Sequence, residues 1–176
     1  MTDAPATNAP IYTFDKLVPA FGDEYVSLVL PAGQSLITDG TYQYVGLYKR
    51  YIVFSDPDNS AGVTSYYVQN SEAAGSTLYA KFSRQDFENI FKLFYEQNLG
   101  SSVTISTRRY ESLSFESESG KSVEGVIYDY VVEHDGADVR QLIYSVVIDG
   151  AVSVTLAFGF PPDAQAPDPL TCVTVT

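Results

Sequence analysis

The sequence predicts an α+β domain: an antiparallel β-sheet of hairpins and a C-terminal meander, packed by one mid-chain amphipathic helix. Three observations predict it. Runs rich in Val, Ile, Tyr and Phe recur between turn signals on both sides of the middle of the chain. One stretch alone, Ser83–Asn98, changes to helical periodicity. After it, the strand-like runs are joined by short turns, and strands joined that tightly are antiparallel neighbours.

Taken in order, Met1–Pro10 is small, polar and Pro-rich, and is expected to be a flexible segment ahead of one domain over residues 11–176. Ile11–Val18 is short and mixed. Tyr25–Leu30 alternates and stops at Pro31-Ala32-Gly33, a turn signal. Tyr42–Phe54 is dense in β-formers and is read as two strands or one bent strand, with Gly46 as its weak point. Asp56-Pro57-Asp58-Asn59-Ser60-Ala61-Gly62 turns the chain into a return strand, Val63–Gln69. Ser71–Thr77 is small and polar, hence a loop.

In the helix, Phe87, Ile90, Phe91 and Phe94 fall at i, i+3, i+4 and i+7, one apolar stripe. Ser83 is placed as N-cap with Asp86 three residues on, a variant of the capping box. Asn98 and Gly100 supply a left-handed exit. A stripe of large aromatics suits a broad sheet face, so Phe91 and Phe94 are expected to be buried there.

Val103–Phe115 then alternates, with Val103, Ile105, Thr107 and Arg109 expected on one face. Glu116–Lys121 turns the chain into Val123–Val132. Asp135-Gly136 turns it again into Val139–Ile148, and Asp149-Gly150 into Ala151–Phe160. Pro161–Pro169 is rich in Pro, Asp and Ala, and Leu170–Thr176 alternates as an edge strand.

Composition narrows the function classes. The chain has 176 residues, enough to bury a core without staples, and 45% of them are hydrophobic. Ten basic residues against 22 acidic ones give a formal net charge of −12, which repels phosphate backbones; no nucleic-acid partner is expected. Arg108 and Arg109 alternate in a strand and form no patch. No apolar run is long enough for a transmembrane helix. No basic, apolar-cored signal opens the sequence, and the tether-like first ten residues favour an extracytoplasmic protein whose export signal has been removed.

No recognisable catalytic motif is present, and the expectation is a protein that is not an enzyme, with no cofactor and no metal. The single cysteine, Cys172, and the single histidine, His134, have no spacing that joins them. Glu133-His134-Asp135 falls at a hairpin tip, where neighbours point apart and solvent screens them. Asp56-Pro57-Asp58-Asn59-Ser60 has the oxygen spacing that opens a calcium loop. Its glycine comes one place late, and Tyr67 stands where the closing carboxylate belongs, so a self-capped turn explains the run.

Val123-Glu124-Gly125-Val126-Ile127-Tyr128-Asp129-Tyr130, then Arg140–Gly150 with Val152-Ser153-Val154-Thr155-Leu156, stand downstream of Phe54-Ser55-Asp56-Pro57. Together they form a pattern that resembles the Mog1/PsbP-like superfamily and its bacterial lipoprotein relatives. It covers roughly residues 24 to 162. It implies an antiparallel sheet flanked by helices, in proteins that mostly act as non-catalytic accessory or binding subunits, and it carries over no catalytic residue. The terminal helix of that pattern is not evident after Pro162.

The functional expectation is a non-enzymatic binding or accessory module, exported and tethered, that meets an unknown protein partner or a second copy of itself. The alternative is a structural subunit of a self-assembling particle such as a virion or surface layer. The candidate partner surface is Tyr42, Tyr44, Tyr48 and Tyr51, because tyrosine gives contact area at low entropic cost. The same rings would be core if that face met the helix.

Overall fold

The computed structural model describes residues 17–40, 50–56, 59–74, 78–163 and 168–176, with backbone alone at 51, 56, 59–62, 73 and 74. The expected flexible segment 1–10 and Tyr42, Tyr44, Gly46 and Tyr48 lie outside the described residues. The elements run β1 (Leu17–Gly22), β2 (Val26–Pro31), β3 (Ser35–Gly40), β4 (Arg50–Asp56), β5 (Asn59–Asn70), α1 (Ser71–Ala74), a 3-10 helix (Tyr79–Lys81) and α2 (Arg84–Leu99). There follow β6 (Thr104–Glu116), β7 (Ser122–His134), β8 (Ala137–Ile148), β9 (Val152–Phe160), α3 (Pro169–Cys172) and β10 (Val173–Val175).

Seven strands make one sheet in the order β3-β4-β5-β9-β8-β7-β6, and β1-β2-β10 make a second, smaller one. Every pairing is antiparallel. The hairpin chain β3-β4-β5 is followed by a crossing through α2 to the far edge, and the meander β6-β7-β8-β9 returns to seat β9 against β5. The turns that make the meander use the chemistry expected of them. Asp135 and Gly136, and Asp149 and Gly150, all take positive φ, the condition for a turn that matches strand twist.

The large sheet is buried on both faces, because successive side chains of its central strands point to opposite sides. Ile127, Leu142, Tyr144, Val154, Leu156 and Tyr66 form one core with Val26, Leu28, Leu30 and Val175 of the small sheet. Val126, Tyr128, Tyr130, Ile143 and Ala157 form the other, beneath Phe82, Phe87 and Phe91. Near-continuous apolar runs in β7 and β9 follow from this double burial. Gly125 has a steric reason to be glycine: a Cβ there would stand 2.0 Å from the Ser145 carbonyl oxygen across the β7–β8 pair.

α2 is held as its sequence specifies. The Ser83 hydroxyl accepts from the Asp86 N–H at 3.1 Å, the Asp86 carboxylate accepts from the Ser83 N–H at 2.8 Å, and Gly100 closes the helix at φ 72°. The stripe, however, is split. Phe87 and Phe91 are buried, whereas Ile90 and Phe94 are 44% and 55% exposed. The expectation that Phe94 packs into the core is therefore corrected. The helix lies over β6 and β7, at one side of a seven-stranded face, and only its Phe87–Phe91 edge looks down onto strands.

Three further expectations change. β6 carries a register shift at Arg108, so Thr107 opposes Tyr130 while Arg109 opposes Asp129. Arg109 thus leaves the face of Ile105 and Thr107, and Tyr110 takes its place against Phe87. Ser71–Ala74 is a short helix rather than loop, because Asn70 caps the Glu72 N–H and Ser71 bonds the backbone of Gly150 and Ala151. A four-residue helix, α3, also stands after Pro162, with the Asp168 carboxylate accepting from the Leu170 N–H. The edge-strand reading of Leu170–Thr176 holds only for Val173–Val175, which form β10 at the edge of the small sheet, since Leu170–Cys172 belong to α3.

Replacing Phe91 with Ala is expected to cost about 3–5 kcal/mol of unfolding free energy, and Phe94→Ala less than about 1 kcal/mol. Urea unfolding of the two variants checks this. Equal losses would contradict the split of the stripe.

Candidate functional site

A groove of about 590 Å³ lies beside α2 on the helix-covered face of the large sheet. Its wall is aromatic and aliphatic: Ile90, Phe91, Phe94 and Tyr95 from α2, with Tyr79 and Phe82 from the segment that leads into the helix. Its floor spans four strands: Tyr67 and Gln69 of β5, Thr155 and Ala157 of β9, Gln141 and Ile143 of β8, and Tyr130 of β7. None of these lining residues is charged. Gln69 is opposite Ser153 and Gln141 is opposite Gly159, so the floor runs six residues along β9, about 20 Å.

The wall is rigid because its rings stack on the sheet. Phe87 lies parallel to Tyr128 at 4.4 Å between centroids, Tyr128 on Tyr130 at 5.1 Å, and Phe91 tilts against Tyr130 at 4.9 Å. Tyr79 meets Phe91 edge-on at 5.7 Å. The start of α2 is tied down by a polar chain. Arg84 donates to Glu88 at 2.8 Å, Thr107 donates to Glu88 at 2.8 Å, and the Tyr128 hydroxyl reaches Thr107 at 2.9 Å. Arg84 and Thr107 together hold the Glu88 carboxyl below its usual range.

A second polar chain ends in the groove. The Tyr95 and Tyr130 hydroxyls are 3.3 Å apart, and the Tyr130 O–H donates to Gln141 Oε1 at 2.6 Å. Tyr130 has one proton to give and gives it to Gln141, so Tyr95 must donate to Tyr130. Burial, reinforced by Tyr95, pushes the Tyr130 phenol well above its ordinary value, so Tyr130 keeps its proton. The arrangement can hold an uncharged, largely apolar body and offer it hydrogen bonds from the floor.

Of the residues singled out in the sequence, Tyr42, Tyr44 and Tyr48 lie outside the described residues, and Tyr51 is placed only by its backbone, opposite Tyr67 in the β4–β5 register. Pro57 and Asp58 of the calcium-like turn also lie outside them. Among the described residues no three His, Cys, Asp or Glu side chains gather as a metal site. His134 is at the β7–β8 tip, where its Nε2 meets both the Ser101 hydroxyl and, at 3.5 Å, the Asp135 carboxylate. A nucleophile relay needs the two ring nitrogens to serve different partners, so this trio is not one.

Cys172 is buried in the core between the two sheets, far down the scale of reactivity: burial first and Asp168 second push its thiol up to about 11. The groove residues of β5, β8 and β9 escaped the sequence reading, which placed those runs as strands and assigned none of their residues to a site. The available signal was polar: Gln69, Gln141 and Thr155 interrupt otherwise apolar runs.

The large sheet with its single long helix is the PsbP-like fold that the sequence pattern resembles. The solution structure of cyanobacterial PsbP (CyanoP) from Synechocystis sp. PCC 6803 matches it with a TM-score of 0.53, over 91% of this chain and 89% of that one. Sequence identity is 13%, so the likeness is one of fold and transfers no residue role. No protein-family model matches the chain, and no curated protein does. No helix among the described residues is long and apolar enough to cross a membrane.

Cys172 yields a pH prediction. Its folded pKa is raised above the unfolded one, so its contribution to stability is present below the unfolded value and lost as pH rises towards about 11. The native thiol is expected to be inert to a disulfide reagent at pH 8 and to react only on unfolding. Rapid stoichiometric reaction of the folded protein would contradict it.

Proposed function

We propose that this protein is a non-catalytic binding or accessory module, and that the groove beside α2 is its binding site for an uncharged, mainly apolar small molecule. One observation carries the reading: the exposed half of the aromatic stripe, Ile90 and Phe94, faces a lined volume of about 590 Å³ instead of either solvent alone or core. That size and lining are those of a small-molecule site. An acidic chain with no charge in the groove disfavours anionic ligands and leaves apolar contact as the source of affinity. The PsbP-like fold fits an accessory role, since it supplies a scaffold and no reactive constellation accompanies it among the described residues.

The neutral naphthylamine probe N-phenyl-1-naphthylamine tests the site. Its fluorescence is expected to rise on binding. Phe94→Asp is expected to weaken binding about tenfold or more, whereas Leu93→Asp, on an exposed part of α2 outside the groove, leaves it intact. Equal affinity in the two variants, with both folded, would move the site elsewhere.

We further propose that the tyrosine-rich segment Tyr42, Tyr44, Tyr48 and Tyr51 is the surface for a protein partner or a second copy, neutral or cationic in character. The support is its tyrosine density and the register of Tyr51 opposite Tyr67, a groove residue. Replacing Tyr44 and Tyr48 together with Ser is expected to leave the urea midpoint in place and to abolish self-association or partner capture. Unfolding of the double variant would make those rings core and end the idea.

A further inference from the structure

Building on the reading of the groove as a small-molecule site, we infer that Gln141 selects ligands bearing a carbonyl oxygen. Gln141 comes from β8 and stands at one end of the floor. Its Oε1 accepts the Tyr130 proton at 2.6 Å, and Tyr130 is in turn fed by Tyr95. A terminal amide whose oxygen is engaged in one direction has its nitrogen fixed in the other, so the two Nε2 protons are presented as a preset donor pair. Among the described residues that nitrogen makes no hydrogen bond. In the orientation the structure has, Oε1 is taken by the buried Tyr130 phenol, and turning the amide over would require the whole chain to reverse, with Tyr130 donating to Tyr95 instead.

The orientation has a chemical consequence. A group that only donates, such as an ammonium or an amide N–H, meets a donor and is repelled, while a carbonyl oxygen is received. The charge-free lining makes a carboxylate an expensive way to supply that oxygen, because the groove offers no cation to balance it. The favoured ligand is therefore a neutral ketone, ester, amide or quinone on a flat apolar body. Gln69, about 20 Å away along the strands, is too distant to share the same oxygen. Tyr130 acts through Gln141 and is a positioning residue.

Two neutral fluorescent probes of similar size separate the possibilities: prodan, an aryl ketone, and N-phenyl-1-naphthylamine, which has no carbonyl. In the unaltered protein both bind, and the ketone's emission is red-shifted relative to its emission from an apolar solvent. Gln141→Leu is expected to lower the ratio of ketone to amine affinity by about fivefold to tenfold, the worth of one hydrogen bond in a desolvated site, and to move the ketone's emission to the blue. Tyr130→Phe, which frees the amide to rotate, is expected to lower the ratio less and to broaden the shift. An unchanged ratio in a folded Gln141→Leu protein, with unchanged emission, overturns the inference while leaving the groove as a site. If neither probe binds the unaltered chain, the groove reading itself fails. Should Gln141→Leu not fold, Gln141→Met gives the same two readouts with a less demanding replacement.

Discussion

The pairing of β5 with β9 is the contact on which the rest of this structure depends. Val63 through Asn70 meet Gly159 through Val152 residue for residue, and among the described residues no other pairing joins the N-terminal hairpins to the C-terminal meander within the large sheet. Everything between those strands must form an excursion that returns. The crossing through α2 carries the chain to the far edge, and the three turns of the meander walk it back, so the helix is laid across one face as a condition of closure. The same pairing aligns Tyr66 with Leu156 and Tyr67 with Thr155, which puts one core and one groove floor back to back on the same strands. Such non-local closure is the slow kind, since loop entropy is lost before the contact rewards it.

The groove follows from a mismatch of widths. A seven-stranded face is broader than one helix can cover, with strands about 4.8 Å apart and a helix about 10 Å across. On the opposite face a three-stranded sheet solves the problem with a flat layer, led by Leu28 and Leu30. On this face α2 and the Tyr79–Phe82 segment cover only part of the sheet, and the floor beyond them keeps two partly buried polar residues, Gln69 of β5 and Gln141 of β8. Rings then serve twice. Phe91 closes the core below and walls the groove beside it, and Tyr130 packs against Phe91 while its hydroxyl orders Gln141.

The elements set by local rules were legible in the sequence, and those set by tertiary closure were not. The capping box of Ser83 and Asp86, the exit at Gly100 and the Asp-Gly turns of the meander each depend on a few adjacent residues, and each stands where its residues put it. β3 left no comparable trace: it is an edge strand with a register shift between Leu36 and Thr38, and Leu36 and Ile37 are both exposed, so neither alternation nor burial marked it. Arg108 shows how one bulged residue reverses a parity reading, because every side chain after it changes face. The small sheet was invisible as a unit since β10 comes from the far end of the chain to pair with β2. The stripe of α2 was read correctly as apolar and wrongly as wholly buried, for periodicity reports a face of a helix but not how much of that face the partner covers.

That last point bears on the site. An apolar stripe broader than its contact is usually a source of aggregation, and a protein keeps one exposed at a cost unless something occupies it. Here the excess is bordered by a floor whose polar groups are ordered rather than random: the Tyr95–Tyr130–Gln141 chain has a single direction of donation, fixed by counting protons. A mere packing defect would need no such direction, and the cheapest repair of a defect is a larger aliphatic side chain on β8. A glutamine held by a phenol, at one end of the floor of an uncharged groove, is instead what a binding site for a neutral acceptor requires, since it orients the donors before the ligand arrives and spares the entropy of ordering them on binding.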